Sequence, residues 1–87
     1  MDLNFTPKGW TEYLAWQTED RKTLKKINQL LTDISRNPFD GISKPEPLTG
    51  NLAGYWSRRI DAKNRLIYRV DGNRCEIYQC KGHYDDN

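Results

Sequence analysis

An α+β domain is the fold class this chain predicts, with two N-terminal helices packed on one face of a small, mainly antiparallel β-sheet. Three observations carry that expectation. An apolar stripe of helical period runs from Arg21 to Arg36, three strand-like runs follow residue 54, and Asp71-Gly72-Asn73 joins the last two as a tight hairpin turn. Helices followed by strands, without alternation, place the helices together on one side of the sheet.

In chain order, Asp2 to Phe5 alternates polar and apolar residues and reads as a short edge strand. Thr6-Pro7 then supplies an N-cap and a proline at the first helical position. Trp10, Tyr13, Leu14 and Gln17 fall at i, i+3, i+4 and i+7, which predicts the buried face of the first helix. Thr18-Glu19-Asp20 interrupts that helix and caps the next. In the second helix Leu24, Ile27, Leu31 and Ile34, with Leu30, form the buried stripe, and Arg21, Lys22, Lys25 and Lys26 lie on the other face. Asn37-Pro38 ends it, because proline disfavours the helical conformation in the residue before it.

Residues 38–54 form a long connection rich in Pro and Gly, of a length that is usually functional or disordered. The strand-like runs are Tyr55 to Ile60, Asn64 to Val70 and Cys75 to Lys81. Alternation gives Leu66, Tyr68 and Val70 to the helix-facing core and Arg65, Ile67 and Arg69 to the open face. His83 continues the alternation of Cys75, Ile77, Gln79 and Lys81. Trp10, Trp16 and Trp56 are expected in the core.

The 87 residues fit one domain, and ten aromatics offset the small burial available at that size. The net charge of +2 says little about partners, but cations gather between Arg58 and Arg69, which suits a polyanion. No segment approaches the roughly 18 apolar residues of a membrane span, and the N-terminus does not read as a signal peptide. Cys75 and Cys80, if extended, stand roughly 16 Å apart on opposite faces, too far for a mutual disulfide. Reduced thiols in a cytoplasmic protein follow. No Cys, His or carboxylate cluster has metal-ligand spacing, so no metal or other cofactor is expected.

Glu46 sits between two prolines in Lys44-Pro45-Glu46-Pro47-Leu48, which restrict the backbone on both sides and pre-organise the carboxylate. Arg65 lies on the open face, where it can meet a phosphate, and His83 is the one histidine of the chain. A fixed carboxylate, a forked cation and an imidazole are the parts needed to cleave RNA by general base, phosphate clamp and general acid. Singly, a loop Glu is more often solvated, a strand Arg more often ion-paired, and a terminal His more often a bystander.

Pro38-Phe39-Asp40-Gly41, Lys44-Pro45-Glu46-Pro47-Leu48, Gly54-Tyr55-Trp56-Ser57-Arg58-Arg59-Ile60, Arg65-Leu66-Ile67-Tyr68 and His83-Tyr84 together resemble the YoeB toxins of the RelE superfamily. Trp10, Tyr13-Leu14 and Asp20-Arg21-Lys22 fit the same pattern, so the resemblance covers the chain up to Tyr84. It implies one toxin domain over residues 1–87, with 85–87 as a flexible tail, and a microbial-ribonuclease-like, RelE-type fold. It also implies an endoribonuclease that cuts mRNA in the ribosomal A site. By position, Glu46 resembles the general base, His83 the general acid and Arg65 the phosphate-binding cation. Arg59, Arg58, Tyr84 and Lys44 resemble substrate-binding residues, Lys44 because Thr49 stands where relatives often carry a base. The implied partners are a YefM-like antitoxin, the ribosome with its mRNA, operator DNA through the antitoxin only, and in some assemblies a second copy; no membrane is implied. The competing functions are a ribosome-independent ribonuclease and a non-catalytic, ParE-like inhibitor or antitoxin-binding module.

Overall fold

The Thr6-Pro7 signal acts as its chemistry directs. In the computed structural model, which describes residues 1–83, the Thr6 hydroxyl accepts from the Gly9 amide at 3.0 Å and starts helix α1, Pro7–Glu19. Asp20 ends that helix and caps α2, Arg21–Arg36, accepting from the Lys22 and Thr23 amides at 3.0 and 3.3 Å. The last turn of α2 closes when the Asn37 amide donates to the Asp33 carbonyl, immediately before Pro38.

The strands are β1 (Asp2–Phe5), β2 (Glu46–Pro47), β3 (Trp56–Arg59), β4 (Arg65–Asp71) and β5 (Arg74–Gln79), in the spatial order β1-β5-β4-β3-β2. Only the β1–β5 pair is parallel. Both helices cover one face, and Trp16, Ile27, Leu30, Leu31 and Ile34 meet Leu66, Tyr68, Cys75 and Ile77 in the core. This is the α+β arrangement the sequence predicts. The connection 38–54 is more structured than its composition suggests, since it contains β2 and a 3-10 turn at Gly50–Leu52.

Three details differ from the sequence expectation. The buried face of α1 is Gly9 and Trp16, while Trp10 is 48% exposed and Leu14 43%. The cause is a close approach of α1 to β5: a Cβ on Gly9 would lie 2.5 Å from the Ile77 carbonyl oxygen. That contact fixes which side of α1 meets the sheet, and it rotates Trp10 outward onto Phe5 and Tyr13, at ring-centroid distances of 5.5 and 5.9 Å.

Next, Cys75 and Cys80 both face the core, as free thiols, instead of opposite sides. Tyr68 pairs with Ile77 but Ile67 pairs with Gln79, so Tyr78 is the extra residue of a β-bulge. The bulge turns Gln79 to the open face and returns Cys80 to the core. It therefore also breaks the alternation that groups Gln79 and His83 with Cys75 and Ile77. Third, Arg58 is fully buried on the helix side. Its Nε donates to the Tyr68 hydroxyl at 3.1 Å, and its guanidinium pairs with Asp33 and donates to the Asn37, Asp40 and Ile42 carbonyls.

Candidate active site

The proline pair sets Glu46 on a sheet edge. Pro47 lacks an amide proton, so it fits an edge strand, and Glu46–Pro47 pairs with Ser57 and Trp56 of β3. The segment is pinned at both ends. The Arg59 amide donates to the Ser43 carbonyl at 3.1 Å, and the Leu48 amide donates to the Tyr55 carbonyl at 2.9 Å, with Leu48 buried beneath. Just before Pro45, Ser43 and Lys44 adopt φ values of 63° and 53°. Left-handed backbone is uncommon outside glycine, and non-glycine residues held there concentrate at functional segments.

Strand register builds the rest of the cleft. On the open face Glu46, Ser57, Ile67 and Gln79 form one row across the sheet, and Arg59 and Arg65 form the next. Ser57, Ile67 and Gln79 are buried and make a floor, whereas Glu46 and Arg59 are exposed and Arg65 half-buried. Lys44, Glu46, Ser57, Arg59 and Arg65 line a cleft of about 120 Å³. One carboxylate therefore faces three cations across a short gap.

Arg65 is held in place by the turn before it. Its Nη1 donates to the Asp61 and Asn64 carbonyls at 2.6 and 3.2 Å. The Asp61 carboxylate accepts from the Lys63 and Asn64 amides, both at 2.8 Å, and so rigidifies that turn. Burial pushes the Asp61 pKa up, but the hydrogen bonds from Asn64 and Lys63 outweigh it and hold the carboxyl below its usual range. Asp61 thus stays anionic beside Arg65.

The segment after β5 is tied to the same corner. Gly82 donates through its amide to Asn64 Oδ1 at 2.8 Å, and its carbonyl accepts from the Arg65 amide at 2.9 Å. Its φ of +90° is a conformation that favours glycine. From α1, Glu12 accepts from the Cys80 and Lys81 amides at 2.8 and 3.2 Å, and Trp16 Nε1 donates to the Cys80 carbonyl at 2.9 Å. The residue after Gly82 is His83, half-buried and adjacent in the chain to the carbonyl that meets Arg65.

Of the residues singled out in the sequence, Lys44, Glu46, Arg59 and Arg65 share one cleft, and His83 follows Gly82, whose carbonyl meets the Arg65 amide. Arg58 does not join them, because strand alternation sends it into the core; substrate binding by Arg58 is corrected to an anchoring role for residues 37–42. Tyr84 and the tail at 85–87 lie outside the described residues. Sequence reasoning missed Glu12, Trp16 and Asn64 as positioning residues. Only Asn64, beside Arg65 at the strand start, carried any local signal. Among the described residues, no group of three or more His, Cys, Asp or Glu is placed to hold a metal ion.

The chain matches, over residues 5–84, the model of the YoeB-like toxin of bacterial type II toxin-antitoxin systems. It is 50% identical over 84 residues to the toxin YoeB of Streptomyces coelicolor, covering 97% of this chain and all of that one. Among solved structures, a YoeB/ParE toxin from Agrobacterium tumefaciens superposes with a TM-score of 0.93 at 49% identity, over 97% of this chain and 100% of that one. The toxin of the YoeB-YefM complex from Staphylococcus aureus gives 0.88 at 46% identity, over 97% and 98% of the two chains. With an α+β fold of the same architecture and identity of this order along nearly its whole length, the chain belongs to the YoeB-like toxins of bacterial type II toxin-antitoxin systems.

Proposed function

We propose that this toxin is a ribosome-dependent endoribonuclease that cuts mRNA in the A site and so inhibits translation. The observation that supports it most is the row geometry: one exposed carboxylate, Glu46, faces Arg59 and Arg65 across a shared cleft, with His83 next to the Arg65 backbone. In this reading Glu46 takes the proton of a 2′-hydroxyl, and O2′ attacks the adjacent phosphorus. Arg65, with Arg59 and Lys44, neutralises the charge that grows on the phosphoryl oxygens. The P–O5′ bond breaks, and protonated His83 gives its proton to the leaving O5′. The products are a 2′,3′-cyclic phosphate upstream and a 5′-hydroxyl downstream. Base, cation and acid are all side chains, so cleavage is expected to continue in excess EDTA when ribosomes are kept intact.

The experiment is induction of wild-type, Glu46→Gln and His83→Gln chains in cells, followed by mapping of transcript 5′ ends. Glu46→Gln keeps the shape and loses the basicity, and loss of a general base costs about 100- to 10,000-fold. The variant is expected to unfold at nearly the wild-type temperature. Wild-type cleavage by Glu46→Gln, or a 5′-phosphate on the downstream fragment, overturns the mechanism. Cleavage of free RNA at the ribosomal rate would favour the ribosome-independent alternative. A YefM-like antitoxin is the partner this reading assigns, because the S. aureus relative was solved with YefM and the basic open face complements an acidic segment that folds on binding. A cytoplasmic location follows from the same reading; no helix among the described residues is long and apolar enough to cross a membrane.

A further inference from the structure

The open face does not end at the cleft. Two residues before Ser57, roughly 7 Å along the strand direction, Tyr55 continues the same face. Its ring lies 5.5 Å from that of Tyr78, the bulged residue of β5. Each ring carries a cation: Arg69 lies 5.4 Å from the Tyr55 centroid and Lys8 Nζ lies 5.1 Å from that of Tyr78. Both cations are on exposed residues and are held by surface contacts only, Lys8 Nζ donating to Gln79 Oε1 at 3.3 Å and Arg69 pairing with Glu76 at 3.7 Å, contacts weak enough for a phosphate to displace. Beyond the pair, Asn4, Arg69, Asp71, Arg74 and Glu76 line a second cleft of about 110 Å³. In it the Asn4 side-chain nitrogen is buried without a hydrogen-bond partner.

We propose that this stretch is a second nucleotide subsite for single-stranded RNA, contiguous with the cleft at Glu46. Tyr78 stacks one base, with Tyr55 tilted 55° against it as a buttress, Lys8 and Arg69 take the neighbouring phosphates, and the Glu76 carboxylate accepts from a base edge. The proposal rests on the ribonuclease reading above. Alternation of aromatic rings with cations is the pattern by which proteins hold unpaired nucleotides, each stacked base contributing sequence-tolerant affinity. A base edge presents both donors and acceptors, and the second cleft offers both in return. Asp71 and Glu76 oppose an acidic peptide and RNA phosphates alike; the tyrosine pair, which offers a ring face to a planar base and nothing specific to a carboxylate, is what favours RNA.

The test is a titration of ¹⁵N-labelled full-length Glu46→Gln protein with a short single-stranded RNA, followed by NMR. Shifts are expected in the backbone amides of Lys44, Arg65, Tyr78 and Arg69 and in the Asn4 side-chain amide. In the same background Tyr78→Ala is expected to weaken binding about 5- to 100-fold, while Tyr78→Phe binds as tightly as its parent. Lys8→Ala, an exposed change that spares the fold, is expected to bind more weakly and with a shallower salt dependence. Shifts confined to Lys44 and Arg65 overturn the subsite and leave the ribonuclease reading standing. Shifts at Tyr78 and Asn4 but none at Arg65 overturn the proposed continuity with the cleft at Glu46 and leave the ribosome-dependent reading untouched. No shifts at millimolar RNA overturn the subsite, while the ribosome-dependent reading stands or falls on the mapping of transcript 5′ ends. Tighter binding of an acidic peptide than of RNA at Tyr78 and Asn4 assigns the surface to a protein partner and overturns the proposal.

Discussion

Arg58 and Arg59 are neighbours of identical chemistry, and strand alternation sends one into the core and the other to the cleft rim. A buried guanidinium keeps its charge, so it must find acceptors. Arg58 finds them in Asp33, three carbonyls and the Tyr68 hydroxyl, and in doing so anchors the segment that leads toward Glu46. Arg58→Ala leaves those acceptors buried and is expected to cost about 3 kcal/mol, the low end for a broken buried pair because Asp33 is partly solvated. Arg59→Ala is expected to change stability by less than about 0.5 kcal/mol while slowing cleavage. Urea unfolding of the two variants, beside a cleavage assay, separates the roles. Equal destabilisation by both would remove the distinction.

At the scale of elements, carboxylates fix the joints between helices, strands and turns. The Arg58 guanidinium holds the Asp33 carboxyl below its ordinary value of 3.8, despite opposition from burial. The Thr23 hydroxyl and amide do the same for Asp20 at the start of α2, and Asp61 is lowered in the β3–β4 turn. All three shifts are downward, so each group binds its proton more weakly when folded than when unfolded. Their contribution is therefore present above the ordinary range, and it fades as pH falls below about 4 through the folded values. Urea midpoints between about pH 7 and about pH 3 are expected to drop along this acid limb. Asp33→Asn is expected to be less stable at neutral pH and to have a shallower limb. Asp20→Asn is expected to stay close to wild type at neutral pH, because asparagine caps as well. An Asp33→Asn limb as steep as wild type would show that Asp33 is not one of the groups responsible.

Across the whole molecule, the two thiols report on the core. Burial pushes Cys75 up to about 11 and Cys80 up to about 12, so neither supplies thiolate at neutral pH while the chain is folded. Cys80 is further enclosed by Gly9, Glu12 and Trp16 of α1. Alkylation at about pH 8 is expected to be negligible in the native state and to appear with global unfolding. Fast labelling of Cys80 alone would reveal that α1 and the end of β5 open separately. Because that end leads to His83, it would also mean that the candidate acid is placed by a weak joint.

The sequence by itself determined what depends on near neighbours. The α2 stripe, both helix caps, the turn at Gly72-Asn73 and the core assignment of Leu66 and Tyr68 are legible because the residues that set them lie within a few positions. Flanking prolines and period-two alternation drew attention to Glu46 and put Arg65 on the open face, but each signal was weak alone and gained weight only from the family resemblance. The tertiary structure decided the rest through contacts far apart in the chain. Gly9 against Ile77 chose the face of α1, a bulge at Tyr78 returned Cys80 to the core, and pairing with β3 made Glu46–Pro47 a strand. His83 was the hardest to place, because β5 stops at Gln79 and the next residues are held by Glu12 and Asn64, one of them 68 positions away from its partner Cys80. Periodicity ends where a strand ends; beyond it, only hydrogen bonds from other elements fix where a side chain stands.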